Sequence, residues 1–529
     1  MKKLIFLWLL STGVTVDAQT SSHPKLVVGI VVDQMRWDYL YRFRDRYSPD
    51  GFNRLVAEGF SCDNTLIPYI PTYTAPGHTC IYTGSVPSLH GIIGNNWYDR
   101  TLRKSIYCTY DSTASTVGSS SDEGKQSPHN LWASTITDQL RLSSNFRSKV
   151  IAIALKERAS VLPGGHTANA AYWLDNASGN WITSSYYMRE LPLWVQSFNK
   201  QRLPDVYLKE DWMSLYATST YIQSSPYNGK GTLLHNTHDI TRNKYDSLRY
   251  TPSGNTLTIQ FAKAAIENEN LGAGKDIDFL ALSFSSTDYI GHLYGPNSIE
   301  IEDTYLRLDK DLGEFLKYLD SKIGQGNYLL FLTADHGAAH VPNFSGHHNL
   351  PSGKTTDANF KTLLNAAILQ QLNISNAVAV VINSQVYLDY DSLRQQNGNA
   401  TLVSNFIIRE LLKDPAISKA FDLHDVNNAT LPAEVKSRIV NGYNQKLSGD
   451  VGFILKPEWM ARSEAFGTTH GTWYNYDAHI PLFWFGWQVK QGRSNREVYM
   501  TDIAPTVATM LHIQMPDASV GKVIEEALK

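Results

Sequence analysis

The chain has 529 residues, 42% of them hydrophobic and 18% charged. That composition is globular and excludes collagen-like, coiled-coil and disordered chains. The 47 basic and 50 acidic residues give a net charge of −3, so no strong basic balance marks nucleic acid or an anionic membrane as a partner, and an anionic substrate must be drawn by a local site.

Lys2 and Lys3 precede the apolar run 4–10, and Val16-Asp17-Ala18 forms a small-residue exit. This pattern predicts a secretory signal peptide over 1–18 and export to the periplasm or the medium. The run is too short to span a membrane, and no later stretch is long enough. Cys62, Cys80 and Cys108 are the three cysteines, so at most one intrachain disulfide can form.

Beyond the leader, continuous apolar runs at 26–32, 150–155, 279–284, 328–332 and 480–485 read as buried strands. Helical patterns lie between them, which predicts an α/β fold with a central, mostly parallel sheet flanked by helices. Ser48-Pro49 starts a helix with Phe52, Leu55 and Val56 inward. Ser298 caps another whose stripe is Ile301, Tyr305, Leu308, Leu312, Phe315 and Leu319. Residues 112–128 are rich in Ser, Thr and Gly and read as a surface loop. The remainder, 22–529, reads as one domain with insertions at about 160–255 and 341–462 that cap the sheet's carboxyl edge. The second insertion carries its own strand pair at 377–382 and 385–390, and a helix near 402–413.

Ligands of an open parallel sheet bind outside the carboxyl ends of its strands. Asp33, Asp288 with His292, and Asp335-His336 all follow predicted strands, and His470 precedes the run 480–485. An Asp there is ordinarily a helix cap. Asp288 and His292 are four residues apart, which puts both on one helical face. Carboxylates with imidazoles favour zinc and also suit other divalent metals, and six ligands in two sets imply two ions. The segment Pro71-Thr-Tyr-Thr-Ala-Pro-Gly-His78 opens a helix ending near Gly84. Thr74 stands where an N-cap is expected. Its hydroxyl would also lie among free N–H groups that favour an anion, and a neighbouring metal would make it a nucleophile.

In this order the residues resemble the alkaline phosphatase superfamily, and Thr74 in its Pro-Thr-x-Thr-x-Pro-x-His setting resembles the nucleotide pyrophosphatase/phosphodiesterase branch. The tail Thr501-Asp502-Ile503-Ala504-Pro505-Thr506 is similar to that superfamily's closing segment. The resemblance covers about 22–160, 256–340 and 463–529. It implies an alkaline phosphatase-like catalytic domain with two Zn2+ per chain. Asp288, His292 and His470 would hold one ion, and Asp33, Asp335, His336 and the Thr74 oxygen the other.

Lys156 and Arg158, two apart in a segment expected to be extended, would face one phosphoryl group. Asn95, after Gly94, would donate its amide to the same group. Elsewhere the triplet would read as a solvated charge cluster and Asn95 as a turn residue. Thr74, Asn95, Lys156 and Arg158 together resemble the phosphate-irrepressible, PafA-type alkaline phosphatases. The implied activity is secreted hydrolysis of small phosphate monoesters through a phosphothreonine intermediate. No Asp-Ser-Ala segment with an adjacent Arg marks the Ser-type enzymes, and Cys80-Ile-Tyr-Thr-Gly84 does not match the sulfatases. The alternatives are a phosphodiesterase of the same superfamily and a non-enzymatic zinc-binding surface protein. The motifs carry no signal of oligomeric state.

Overall fold

The computed structural model describes residues 22–223, 234–235, 245–462 and 467–528, so the expected leader lies outside the described residues. A ten-stranded sheet organises them. From edge to edge it runs Gly492–Ser494, Phe60–Cys62, Leu482–Gly486, Tyr328–Thr333, Leu26–Val32, Asp278–Phe284, Val150–Ala154, Ala170–Leu174, Trp181–Ser184 and Thr116–Val117. The five strands from Tyr328–Thr333 to Ala170–Leu174 are mutually parallel. Leu26–Val32 is buried along its whole length, as expected of a strand covered on both faces.

Three expectations change here. Leu482–Gly486 is as buried as its neighbours but runs antiparallel to Tyr328–Thr333, with Leu332 opposite Phe483. An apolar run carries no sign of strand direction. The tract 160–255 does not only cap the sheet, because Ala170–Leu174 and Trp181–Ser184 extend the sheet itself. The presumed loop 112–128 supplies Thr116–Val117, which pairs with Thr183 and Ser184 at the edge.

The helix Ile299–Leu319 begins at its expected cap, with Ser298 Oγ accepting from the Ile301 amide at 3.2 Å. The helix after Ser48-Pro49 starts later, at Phe52, because Asp309 accepts from the amides of both Ser48 and Phe52. Phe52 and Leu55 are buried, while Val56 points outward. Thr74–Thr83 lies against the centre of the sheet, where the Tyr82 hydroxyl donates to the Gly29 carbonyl at 3.2 Å. Gly84 closes that helix in the left-handed region.

The tract 341–462 holds a four-stranded antiparallel sheet, ordered Val378–Ile382, Gln385–Leu388, Val451–Leu455 and Ile417–Asp422. Helices Asp357–Leu372 and Ala400–Leu411 close a separate core of Phe360, Leu364, Ile368, Val403, Ile407 and Phe453. All three cysteines are buried and unpaired. No helix of the described residues is long and apolar enough to cross a membrane.

Candidate active site

Asp33 follows Leu26–Val32, Asp288 lies in the helix after Asp278–Phe284, and Asp335-His336 follows Tyr328–Thr333. These parallel strands deliver their ends to one rim. His470 precedes an antiparallel strand, so the start of that strand lies on the same rim. Gly467 lets its loop approach closely, since a Cβ there would lie 2.0 Å from the His292 carbonyl oxygen and the backbone is left-handed.

Two groups of acceptors result. Asp33, Asp335 and His336 present atoms within 4.8 Å of one another, as do Asp288, His336 and His470. His292 stands beside the second group, its Nε2 3.1 Å from Asp288 Oδ1. The Nδ1 atoms of His292, His336 and His470 lie 2.8, 3.0 and 2.7 Å from the carbonyls of Thr468, Gly337 and Thr72. A carbonyl only accepts, so each Nδ1 carries a proton and each Nε2 is turned to the site, where it offers a lone pair whenever the ring is neutral. Burial holds His336 and His470 below the usual histidine range, aided at His470 by the rings of His336 and His292. Both are therefore neutral and able to ligate.

The acceptors face each other. His336 Nε2 lies 3.6 Å from Asp33 Oδ1 and 3.5 Å from Asp335 Oδ2. Both oxygens are buried without a hydrogen bond among the described residues. His78 Nδ1 is 3.3 Å from Asp335 Oδ2 but sits 2.9 Å from the Thr74 carbonyl, to which it donates. Converging lone pairs of carboxylate and imidazole at this depth fit divalent cations.

The carboxylates divide their oxygens. Lys156 Nζ donates to Asp33 Oδ2 at 2.6 Å and to Asp288 Oδ2 at 2.5 Å, leaving each Oδ1 facing histidine. Burial and the like charges of Asp288 and Asp335 push Asp33 well above the usual carboxylate range. Burial would also raise Asp288, but His292 and Lys156 outweigh it and hold it well below that range. Burial would lower Lys156, yet Asp288 and Asp33 raise it above the usual lysine value. The Lys156 ammonium also lies 4.8 Å over the Tyr289 ring.

Thr74 is not the helix cap that its position suggested. Tyr73 occupies the cap and Thr74 is the first helical residue. Its hydroxyl is left for the site, with Oγ1 3.4 Å from His336 Nε2. Asn95 Oδ1 accepts from the Ala75 amide at 2.9 Å, which leaves its Nδ2 as a donor beside the helix start. Gly77 permits this helix to press on the Asp335 loop, where a Cβ would meet the Asp335 carbonyl at 2.6 Å.

Lys156 and Arg158 do not share an extended segment. The chain turns helical at Glu157, and Arg158 opens the helix Arg158–Gly164. Lys156 enters the carboxylates while Arg158 Nη1 donates to the Tyr107 hydroxyl at 3.0 Å. Four residues of the surroundings had no functional reading in the sequence: Gln34, Tyr107, Glu157 and Tyr289. Gln34 binds two carboxylates, through its amide to Asp335 Oδ1 at 3.1 Å and its Nε2 to Asp288 Oδ1 at 2.7 Å. Its φ of 63° is unusual for a residue with a side chain. Adjacency to Asp33 was its one sequence signal.

The fold is alkaline phosphatase-like. A crystal structure of wild-type alkaline phosphatase PafA superposes with a TM-score of 0.93 at 45% identity, covering 96% of this chain and 99% of that one. The chain belongs to the type I phosphodiesterase/nucleotide pyrophosphatase family, whose profile matches residues 27–473. Within it the chain resembles the PafA-type alkaline phosphatases. PafA of Elizabethkingia meningoseptica is 46% identical over 517 residues, 96% of this chain and 94% of its own. Alkaline phosphatase PhoV of Synechococcus elongatus is 50% identical over 525 residues, 97% of this chain and 95% of its own. A protein of Myroides odoratus named calcium-transporting ATPase is 49% identical over 521 residues, 96% of this chain and 95% of its own.

Proposed function

We propose that this chain is an exported alkaline phosphatase that hydrolyses small phosphate monoesters, with residues 22–529 as one catalytic domain carrying the two inserted tracts. The observation that carries the reading is the Thr74 hydroxyl, freed from capping and placed 3.4 Å from His336 Nε2 at the start of a buried helix.

Asp288, His292 and His470 would hold one Zn2+, and Asp33, Asp335 and His336, with the Thr74 oxygen, the other. Two such ions supply positive charge that lowers the pKa of a hydroxyl and offsets charge on the leaving oxygen. Thr74 Oγ1 loses its proton to solvent and attacks phosphorus. The ester P–O bond breaks, and the alcohol leaves with a proton from water. The resulting phosphothreonine is attacked by water, which releases phosphate and restores the hydroxyl. The Thr74 amide and Asn95 Nδ2 hold phosphoryl oxygens, the Ala75 amide being taken by Asn95 Oδ1. Lys156 has three N–H groups, two of which go to Asp33 and Asp288, so the third remains for the substrate. A monoester dianion has one more unsubstituted oxygen than a diester, and Lys156 with Arg158 suits that extra charge. The names PafA and PhoV agree with this reading. The ATPase name of the third relative shares the displacement at phosphorus.

The test is paired kinetics on zinc-loaded protein at pH 8, with an aryl monoester, its methyl diester and ATP. A large preference for the monoester is expected, and Thr74→Ala should remove turnover by a factor of at least about 10³ while zinc content stays at two per chain. A preference for the diester would move the protein to the phosphodiesterase reading. Full activity in Thr74→Ala would sink the nucleophile assignment.

A further inference from the structure

Arg158 does not lie free beside the site. Its Nη1 donates to the Tyr107 hydroxyl at 3.0 Å, and that hydroxyl in turn donates to Glu157 Oε1. Glu157 Oε1 is itself 3.4 Å from Arg158 Nη1. Arg158 Nη1 and the phenol therefore share Glu157 Oε1, and the phenol's hold on that oxygen leaves the arginine contact long. Burial raises the Tyr107 phenol well above its ordinary value, so the hydroxyl keeps its proton. Arg158 Nε is buried and unpaired, and Nη2 has no hydrogen bond among the described residues. Pinning Nη1 leaves the Nε/Nη2 edge, the planar fork that can grip two oxygens at once.

Tyr107 reaches this place on a hairpin that begins next to another phosphoryl-binding candidate. Asn96–Asp99 pairs with Lys104–Tyr107, with Asn96 opposite Tyr107. The Cys108 amide donates to the Asn95 carbonyl at 3.0 Å. Asn95 and the holder of Arg158 are thus fixed to each other across one pair of strands. The hairpin is in turn braced on the tract 341–462, through Arg100 on Asp450 at 3.0 Å and Asn383 Nδ2 on the Asn96 carbonyl at 2.7 Å.

We propose that Tyr107 is a positioning residue for phosphoryl recognition, holding Arg158 Nη1 so that its Nε/Nη2 edge is left for substrate and competing for Glu157 so that the carboxylate's contact with Arg158 stays long. This rests on the reading of Arg158 as a phosphoryl clamp. Tyr107→Phe removes one hydroxyl and little volume. Arg158 then closes on Glu157, and the arginine edge is lost to substrate.

The experiment is a double-mutant cycle of Tyr107→Phe and Arg158→Ala on the zinc-loaded protein, read as kcat/KM for an aryl monoester and its methyl diester. Tyr107→Phe should lower the monoester value about tenfold, the scale of one hydrogen bond to a charged group, and leave the diester value nearly unchanged. In the Arg158→Ala background the same substitution should have no further effect. Glu157→Gln added to Tyr107→Phe should recover much of the loss, because a neutral amide does not capture the guanidinium. A merely structural role for Tyr107 would lower both substrates alike in both backgrounds, and that result overturns the proposal while leaving the clamp intact. If Arg158→Ala itself does not change the monoester-to-diester ratio, the clamp reading fails and this inference falls with it.

Discussion

Lys156 answers a problem that the acidic residues create. Asp33, Asp288 and Asp335 are buried together, and a bridging ammonium offsets part of their repulsion. Its pKa is raised above the unfolded value, so its stabilisation is complete below the ordinary lysine range and fades only at more alkaline pH. The bridge is therefore intact at pH 8. Asp311 shows the opposite sign. It is largely buried in the helix Ile299–Leu319, accepts from Thr256 Oγ1 at 2.7 Å, and burial raises its pKa to about 6. The folded protein then binds a proton more tightly than the unfolded chain, so stability contributed by this group falls as pH rises from 4 to 6 and stays low above that. Asp311→Asn keeps the acceptor and removes the charge. It should raise stability by about 1–3 kcal/mol at pH 8 and leave it unchanged at pH 4, read from denaturant unfolding at the two pH values. At this scale the sequence was readable where residue type and local spacing coincide, as at Asp288 and His292. It was silent at Tyr107, whose partners Glu157 and Arg158 are about fifty residues away.

Elements were legible where a cap or a stripe is local. Ser298 and the apolar stripe behind it specify the start and the inner face of the helix Ile299–Leu319. Ser298→Ala removes the acceptor of the Ile301 amide, and the loss should be about 1 kcal/mol, seen as a lowered unfolding midpoint with kinetic constants unchanged. Elements were misjudged where a distant group decides. Asp309 sets the start of the Phe52–Glu58 helix from another helix. The turn at Glu157 separates Lys156 from Arg158, which the strand pattern before it could not announce. The direction of Leu482–Gly486 is set by its partners and not by its own residues. That direction also explains why His470, ahead of its strand, shares a rim with residues that follow theirs.

The whole molecule is closed by its acceptor clusters. Removing divalent cations with a chelator should abolish activity and lower the thermal midpoint, because the clusters would then hold facing lone pairs and like charges. Each site saturated at a thousand times its Kd contributes about 4 kcal/mol. Adding zinc back should restore both the midpoint and turnover, and elemental analysis of the recovered protein should give two ions per chain. The order of strands has a further consequence for how the chain folds. Leu26–Val32, first in sequence, is central in the sheet and pairs with Asp278–Phe284 and Tyr328–Thr333. It has no local partner, so it must wait for residues synthesised long after it. Such distant pairings make folding slow. No fragment ending before residue 470 holds the full set of acceptors, so the growing chain passes most of its synthesis without an assembled site and gains one only near the end.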